Sequence, residues 1–163
     1  MAFWYATTPR KTEQFVVHEV PPNAYSSEVV ETRVFLTLPS KSWMFRLGPL
    51  EHSSVPVDKF TCMDNHGGGT KSCAFRDPDI QATLILDGNM VRRYTIVAFR
   101  SEDISELKGR LVDLLGERVS RFPASDKPLD EVSISAGNES VHLMATAAGH
   151  DMRPMLSVTV SLQ

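Results

Sequence analysis

The segment from residue 80 to residue 99 constrains the fold most strongly, because it has the pattern of an antiparallel hairpin. An apolar run at 80–86 is followed by Asp87-Gly88 and then by a second run at 90–99. Asp-Gly between two such runs is typical of a tight turn, since both central residues can adopt positive φ. The sequence therefore predicts two paired strands in the middle of the chain.

Other segments also have strand patterns. Gly137-Asn138 separates two alternating runs at 132–136 and 141–145, and the final run at 156–162 alternates Leu or Val with Ser or Thr. Such alternation predicts strands with one buried face. Further strands are predicted at 14–20 and 28–38, each bounded by proline, at 43–47 through the alternating Trp43, Phe45 and Leu47, and at 57–63.

One amphipathic helix is predicted over residues 102–119. Ser101 is the predicted N-cap, and Glu102 and Asp103 suit the positive end of the helix dipole. The apolar residues fall on one stripe at helical spacing; they are Ile104, Leu107, Leu111, Leu114, Leu115 and Val119.

These elements predict a single α+β domain over residues 1–163: a mostly antiparallel sheet of about seven to nine strands with the long helix packed on it. The 163 residues are 42% apolar and 23% charged, which is ordinary globular usage. Strands do not alternate with helices along the chain, which argues against a doubly wound parallel sheet.

The net charge and the cysteine content indicate which binding partners and which cellular compartment to expect. Seventeen basic residues against twenty acidic ones give a net charge of −3, which does not favour a nucleic-acid partner, although a local basic patch stays open. Two cysteines do not make a disulfide framework, and a reducing compartment fits better. The chain has no apolar run of membrane-spanning length and no secretory signal pattern, so we expect a cytoplasmic or nuclear protein with no membrane partner.

Two glycine-rich motifs lack the residues that would make them catalytic. His66-Gly67-Gly68-Gly69 resembles an esterase oxyanion loop, but the chain has no Gly-x-Ser-x-Gly nucleophile. Thr70 stands where a phosphate-binding loop needs the glycine before Lys71. We therefore expect the glycines to form a hairpin tip, with no catalytic residue and no cofactor.

Cys62, His66 and Cys73 flank the same loop and leave three interpretations open. They supply three of the four ligands that zinc prefers, but the spacing is not a familiar zinc pattern. The two cysteines could also face each other across a hairpin and form a disulfide on oxidation. The favoured interpretation is two reduced cysteines with no metal bound.

Five residues are predicted to bind a partner. Phe3, Trp4 and Tyr5 are adjacent aromatic residues that cannot all face the core from a strand, and exposed aromatic clusters are enriched at interfaces. Arg92 and Arg93 are predicted to point to opposite faces of the return strand of the central hairpin.

Residues 91–146 resemble one half-domain of the sliding-clamp and checkpoint-clamp family. A strand leads into a helix, and two paired strands follow with the sequences Val-Ser-Ile-Ser-Ala at 132–136 and Val-His-Leu-Met-Ala-Thr at 141–146. The resemblance implies ring assembly by edge-to-edge pairing of sheets, with helices facing DNA. The 102–119 helix has five acidic residues against three basic ones, which argues against a phosphate-facing role.

Three functions follow from these patterns. The preferred one is a non-enzymatic protein-interaction or assembly subunit, a β-rich adaptor with a protein partner or a second copy of itself. The second is a clamp-like subunit in DNA replication or repair. The third is a metal- or thiol-dependent enzyme that uses Cys62, His66 and Cys73.

Overall fold

The computed structural model describes residues 33–124, 127–147 and 153–163. The fold is α+β, as predicted, with mostly antiparallel strands and one main helix. A two-stranded sheet contains β1 (Leu36–Leu38) and β2 (Trp43–Phe45). The predicted strands at 14–20 and at 28–32 lie outside the described residues.

The large sheet has eight strands. These are β3 (Gly48–Pro49), β4 (Thr61–Asp64), β5 (Thr70–Arg76), β6 (Ile80–Asp87), β7 (Met90–Ala98), β8 (Leu129–Ala136), β9 (Glu139–Thr146) and β10 (Met155–Leu162). Their order is β4-β5-β6-β7-β10-β9-β8, with β3 paired to the end of β7, and every pairing is antiparallel. Among the described strands, β4 and β8 are therefore the two edges.

One face of the large sheet is buried. Alternate side chains of β6, β7, β9 and β10 form a hydrophobic cluster with β1, β2 and the main helix. Tyr94 is fully buried there, and its ring lies 5.7 Å from that of Phe45. The predicted alternation at Trp43, Phe45 and Leu47 is confirmed, since all three are buried.

The predicted helix is broken near its end. Helix α1 spans Ser101–Leu115, and a second short helix, α2, spans Glu117–Ser120. Gly116 separates them with φ 66° and ψ −144°, a conformation that glycine alone adopts readily. Arg100, rather than the predicted Ser101, occupies the N-cap, and Leu114 is 42% exposed rather than part of the buried stripe.

Two other predicted features, the β6–β7 turn and the start of the strand at 57–63, lie at slightly different positions in the structure. Asp87 pairs with Met90, so the tight turn has Gly88 and Asn89 at its centre, with Gly88 at φ 56°. The strand predicted over 57–63 begins only at Thr61, because Val57–Lys59 forms a 3-10 turn. The glycine run does form the hairpin tip between β4 and β5, as predicted.

Candidate interaction site

Strand β8 leaves one edge of the large sheet open among the described residues. Its eight residues pair with β9 from Leu129↔Thr146 to Ala136↔Glu139, and no described strand lies on its other side. The opposite edge strand, β4, has only four residues. An unpaired edge of this length can accept another strand through its backbone groups. We call this surface the β8 edge.

The hydrogen bonds around β8 show which backbone groups point outward. Arg118 in α2, which does not belong to the sheet, donates from Nη1 to the carbonyl oxygen of Ser135 at 3.3 Å. The amide of Glu131 donates to the Asp130 side chain at 3.1 Å. Because backbone groups alternate in direction along an antiparallel strand, Glu131, Ser133 and Ser135 present their N–H and C=O groups to the outside.

The charged side chains of β8, Asp130 and Glu131, lie near the start of the strand, and the rest of the strand is uncharged. Ser133 is exposed, and its hydroxyl lies 3.0 Å from Nδ1 of His142 on β9. The carboxylate of Glu131 is exposed and lies 3.9 Å from Nε2 of His142. The four residues from Val132 to Ser135, which include Ser133, therefore form an uncharged stretch on which a second strand could pair.

Asp130 fixes the chain just before the β8 edge. Its Oδ2 accepts a hydrogen bond from the Ala124 amide at 2.7 Å, and Lys127 lies 3.6 Å from its Oδ1. These contacts, with the backbone bond first, lower the pKa of Asp130 below its usual range. Because the Ala124 amide and Lys127 both contact the Asp130 carboxylate, it is not available to bind a ligand.

Of the five residues predicted to bind a partner, the structure describes Arg92 and Arg93. Phe3, Trp4 and Tyr5 lie outside the described residues. Arg92 and Arg93 are both exposed, so the prediction that they point to opposite faces was wrong. The register shifts between Ile85 and Leu86 of β6, which leaves Arg92 as an extra residue in β7. Arg92 is bound to Asp87 at 3.1 Å.

The cysteine prediction is also corrected. Cys62 and Cys73 occupy paired positions on β4 and β5 and form a disulfide. The expectation of two reduced cysteines was wrong, because the hairpin brings them directly opposite each other. The disulfide leaves no thiolate at either position for zinc or for nucleophilic attack. In the described part of the chain, no group of three His, Cys, Asp or Glu side chains could hold a metal ion.

Sequence reasoning missed a buried carboxylate at Glu139. Its two oxygens accept hydrogen bonds from the Arg33 amide at 2.6 Å and from the Val34 amide at 2.7 Å. The carbonyl of Val34 in turn accepts a bond from the Tyr94 hydroxyl at 3.0 Å. Burial raises the pKa of Glu139, and the two amides partly offset that effect. A glutamate after a Gly-Asn turn gives no sequence signal of burial.

Comparisons with known proteins identify no relative. No protein-family model, no curated protein and no solved structure matches the chain. In the described residues no helix has the length and apolar character needed to cross a bilayer.

Proposed function

We propose that this protein is a non-enzymatic assembly subunit whose β8 edge pairs with the β8 edge of a second copy. The observation that carries the proposal is the outward-facing backbone of Glu131, Ser133 and Ser135, on which no described strand pairs. The side chains of Arg118 and Asp130, which bond the Ser135 carbonyl and the Glu131 amide, would give way to the second strand. Two-fold pairing centred on Ser133 would join two sheets through their backbone groups. Each hydrogen bond formed in this way contributes about 1 kcal/mol.

The residue order of β8 is compatible with pairing to itself. In an antiparallel pair centred on Ser133, Val132 of one copy lies opposite Ile134 of the other, on the core-facing side. Pairs of β-branched residues stabilise neighbouring strands. On the other side, Glu131 lies opposite Ser135, so no like charges meet.

Charge complementarity supports the same register. Arg118 is already bound to the carbonyl of Ser135. In this register the amide of Glu131 in the second copy bonds the Ser135 carbonyl in place of Arg118, which leaves the guanidinium at the edge, next to Glu131. The two-fold symmetry repeats this Arg118–Glu131 contact, so each dimer contains it twice.

A charge exchange tests this arrangement. Glu131→Arg and Arg118→Glu are each expected to raise the dimer dissociation constant by about tenfold, because two attractive pairs become repulsive. The double variant restores both pairs with reversed polarity and should regain most of the lost affinity. Light scattering across a concentration series measures the mass and the dissociation constant of each variant.

Glu51→Arg is the matched control, since Glu51 is exposed in a turn beside β3 and undergoes the same change of charge. It should leave the dimer dissociation constant unchanged. A protein that stays at 18.1 kDa at every concentration contradicts the proposal. A dimer that is insensitive to both single substitutions would exclude the β8 edge as its interface.

The clamp-like alternative has weaker support. The order β7, α1, β8, β9 is the strand–helix–hairpin order that the resemblance implies. The exposed surface of α1, however, includes Glu102, Glu106 and Asp113, which would repel DNA phosphates. Cytoplasmic or nuclear localisation stays a prediction. The inference of a reducing compartment from the cysteine content no longer supports it, because Cys62 and Cys73 form a disulfide.

A further inference from the structure

A pocket lies at the other edge of the large sheet, where β4 begins. It has a volume of about 450 Å³ and is lined by Lys59, Thr61, Met63, Ala74, Phe75 and Arg76. Strand β5 continues to Arg76, but β4 starts opposite Ala74, so the last two residues of β5 have no partner on that side. The 3-10 turn at Val57–Lys59 carries the chain away from the sheet and leaves the space open.

Two of the residues that line this pocket are positively charged, and none of the lining residues is acidic. Lys59 contacts the ring of Trp43, with its Nζ 5.8 Å from the ring centroid, and the exposed Arg76 forms no ion pair with any described residue. The nearby carboxylate of Asp77 is taken by Lys41 at 2.9 Å. The pocket is therefore electropositive although the whole chain is acidic.

The backbone adds a further donor. The amide of Asp77 bonds back to Ile80 at 2.9 Å, so the odd-numbered residues of β5 direct their backbone groups towards β6. The 4.0 Å separation of the Cys62 and Cys73 Cα atoms fits a non-hydrogen-bonded pair with β4, which gives the same alternation. The amide of Arg76 consequently points towards the pocket side, where β4 supplies no acceptor.

The remaining walls are apolar. The ring of Phe75 lies 4.8 Å from that of Trp43 and 5.8 Å from that of Phe60, which holds it in place. Met63 is 69% exposed at the rim. The disulfide between Cys62 and Cys73 ties β4 to β5 and so fixes the two sides of the pocket.

We propose that the Lys59–Arg76 pocket binds a small organic anion: a carboxylate or phosphate group held by Arg76, Lys59 and the Thr61 hydroxyl, with a compact apolar body against Phe75 and Met63. The volume is within the range of small-molecule sites, and a few charged or polar groups beside apolar walls are typical of them. A guanidinium and an amide donate well to either anion. This site is independent of the β8 edge.

Three probes test the proposal: phenylacetate, phenyl phosphate and the uncharged phenylacetamide. In a Trp4→Phe background, Trp43 is the only tryptophan, and it contacts both Phe75 and Lys59. Titration calorimetry gives the affinity, and Trp43 fluorescence locates the binding. We expect at least one anion to bind about tenfold more tightly than the amide, and the preferred anion identifies the head group.

Substitutions of the two positively charged residues of the pocket, Arg76 and Lys59, complete the test. Arg76→Gln and Lys59→Gln are each expected to weaken binding of the preferred anion by about tenfold. Arg92→Gln changes an exposed arginine on β7 outside the pocket and should have no effect. Thermal melts confirm that each variant is folded. Equal affinity for phenylacetamide, unchanged affinity in both pocket variants, or no binding of either anion would overturn the proposal.

Discussion

Replacing Glu139 with alanine is expected to lower the free energy of unfolding by about 3 kcal/mol, because a buried amide and a partly buried amide lose the carboxylate that accepts their hydrogen bonds. Those amides belong to Arg33 and Val34, which lead into β1, and the carboxylate that binds them is fully buried at the start of β9. The bonds join positions more than a hundred residues apart in sequence. Urea denaturation measures the loss.

Glu51→Ala is the matched control for this substitution, since Glu51 is an exposed glutamate in a turn outside both proposed sites. It should change the free energy of unfolding by no more than about 0.5 kcal/mol. If Glu139→Ala is equally mild, the carboxylate does not support the junction between the two sheets.

The same carboxylate gives a pH dependence of defined sign. Burial raises the pKa of Glu139 above its ordinary value of 4.5, so folding favours the protonated form. Its contribution to stability is complete below pH 4.5 and is lost as the pH rises through the folded-state pKa. The unfolding free energy of the native protein, measured relative to that of Glu139→Gln, should therefore fall as the pH rises from 4.5 through the folded-state pKa of Glu139. At higher pH the difference between the two proteins should stay constant.

Removing the disulfide has the second large expected effect. A double variant, Cys62→Ala with Cys73→Ala, is expected to lose about 3 kcal/mol, because the unfolded chain is freed from a short closed loop. The two residues are separated by 11 positions, and Cys73 is fully buried. The urea midpoint should fall, and the dependence of the unfolding free energy on urea should steepen as the unfolded state becomes less compact.

The rest of the sheet should survive this change. Strand β4 is a short edge strand, whereas β5 to β10 pair with one another independently of it. The native protein in a thiol reductant should show a similar loss of stability. A midpoint that is unchanged in both the double variant and the reduced protein would show that the disulfide contributes nothing to stability.

The sequence predicts the local elements well because their signals are local. The alternation of β10 and the turn residues of the β6–β7 and β8–β9 hairpins depend on neighbours within a few positions. The helix boundary at Gly116 was missed, since a single glycine inside an apolar stripe is often tolerated. The shift at Arg92 was missed because a bulge has no fixed sequence pattern.

The candidate sites depend on contacts that sequence patterns do not encode. Among the described strands, the position of β8 at an edge follows from the order of strands in the sheet, in which β10 inserts between β7 and β9. The pocket beside Arg76 depends on β4 beginning later than its apolar pattern suggests. The cysteine pair was one of the open interpretations, and the hairpin register decides it.

Cross-linking at the centre of β8 tests the central claim most directly. In the proposed pair the two Ser133 residues face each other with Cα atoms about 5.5 Å apart, which is within disulfide range. The native cysteines are already bonded to each other, so Ser133→Cys introduces the only free thiol in the chain. Under mild oxidation it should yield a covalent dimer of twice 18.1 kDa, while Ser105→Cys, exposed on α1, should not. No greater cross-linking at Ser133 than at Ser105 would contradict the account.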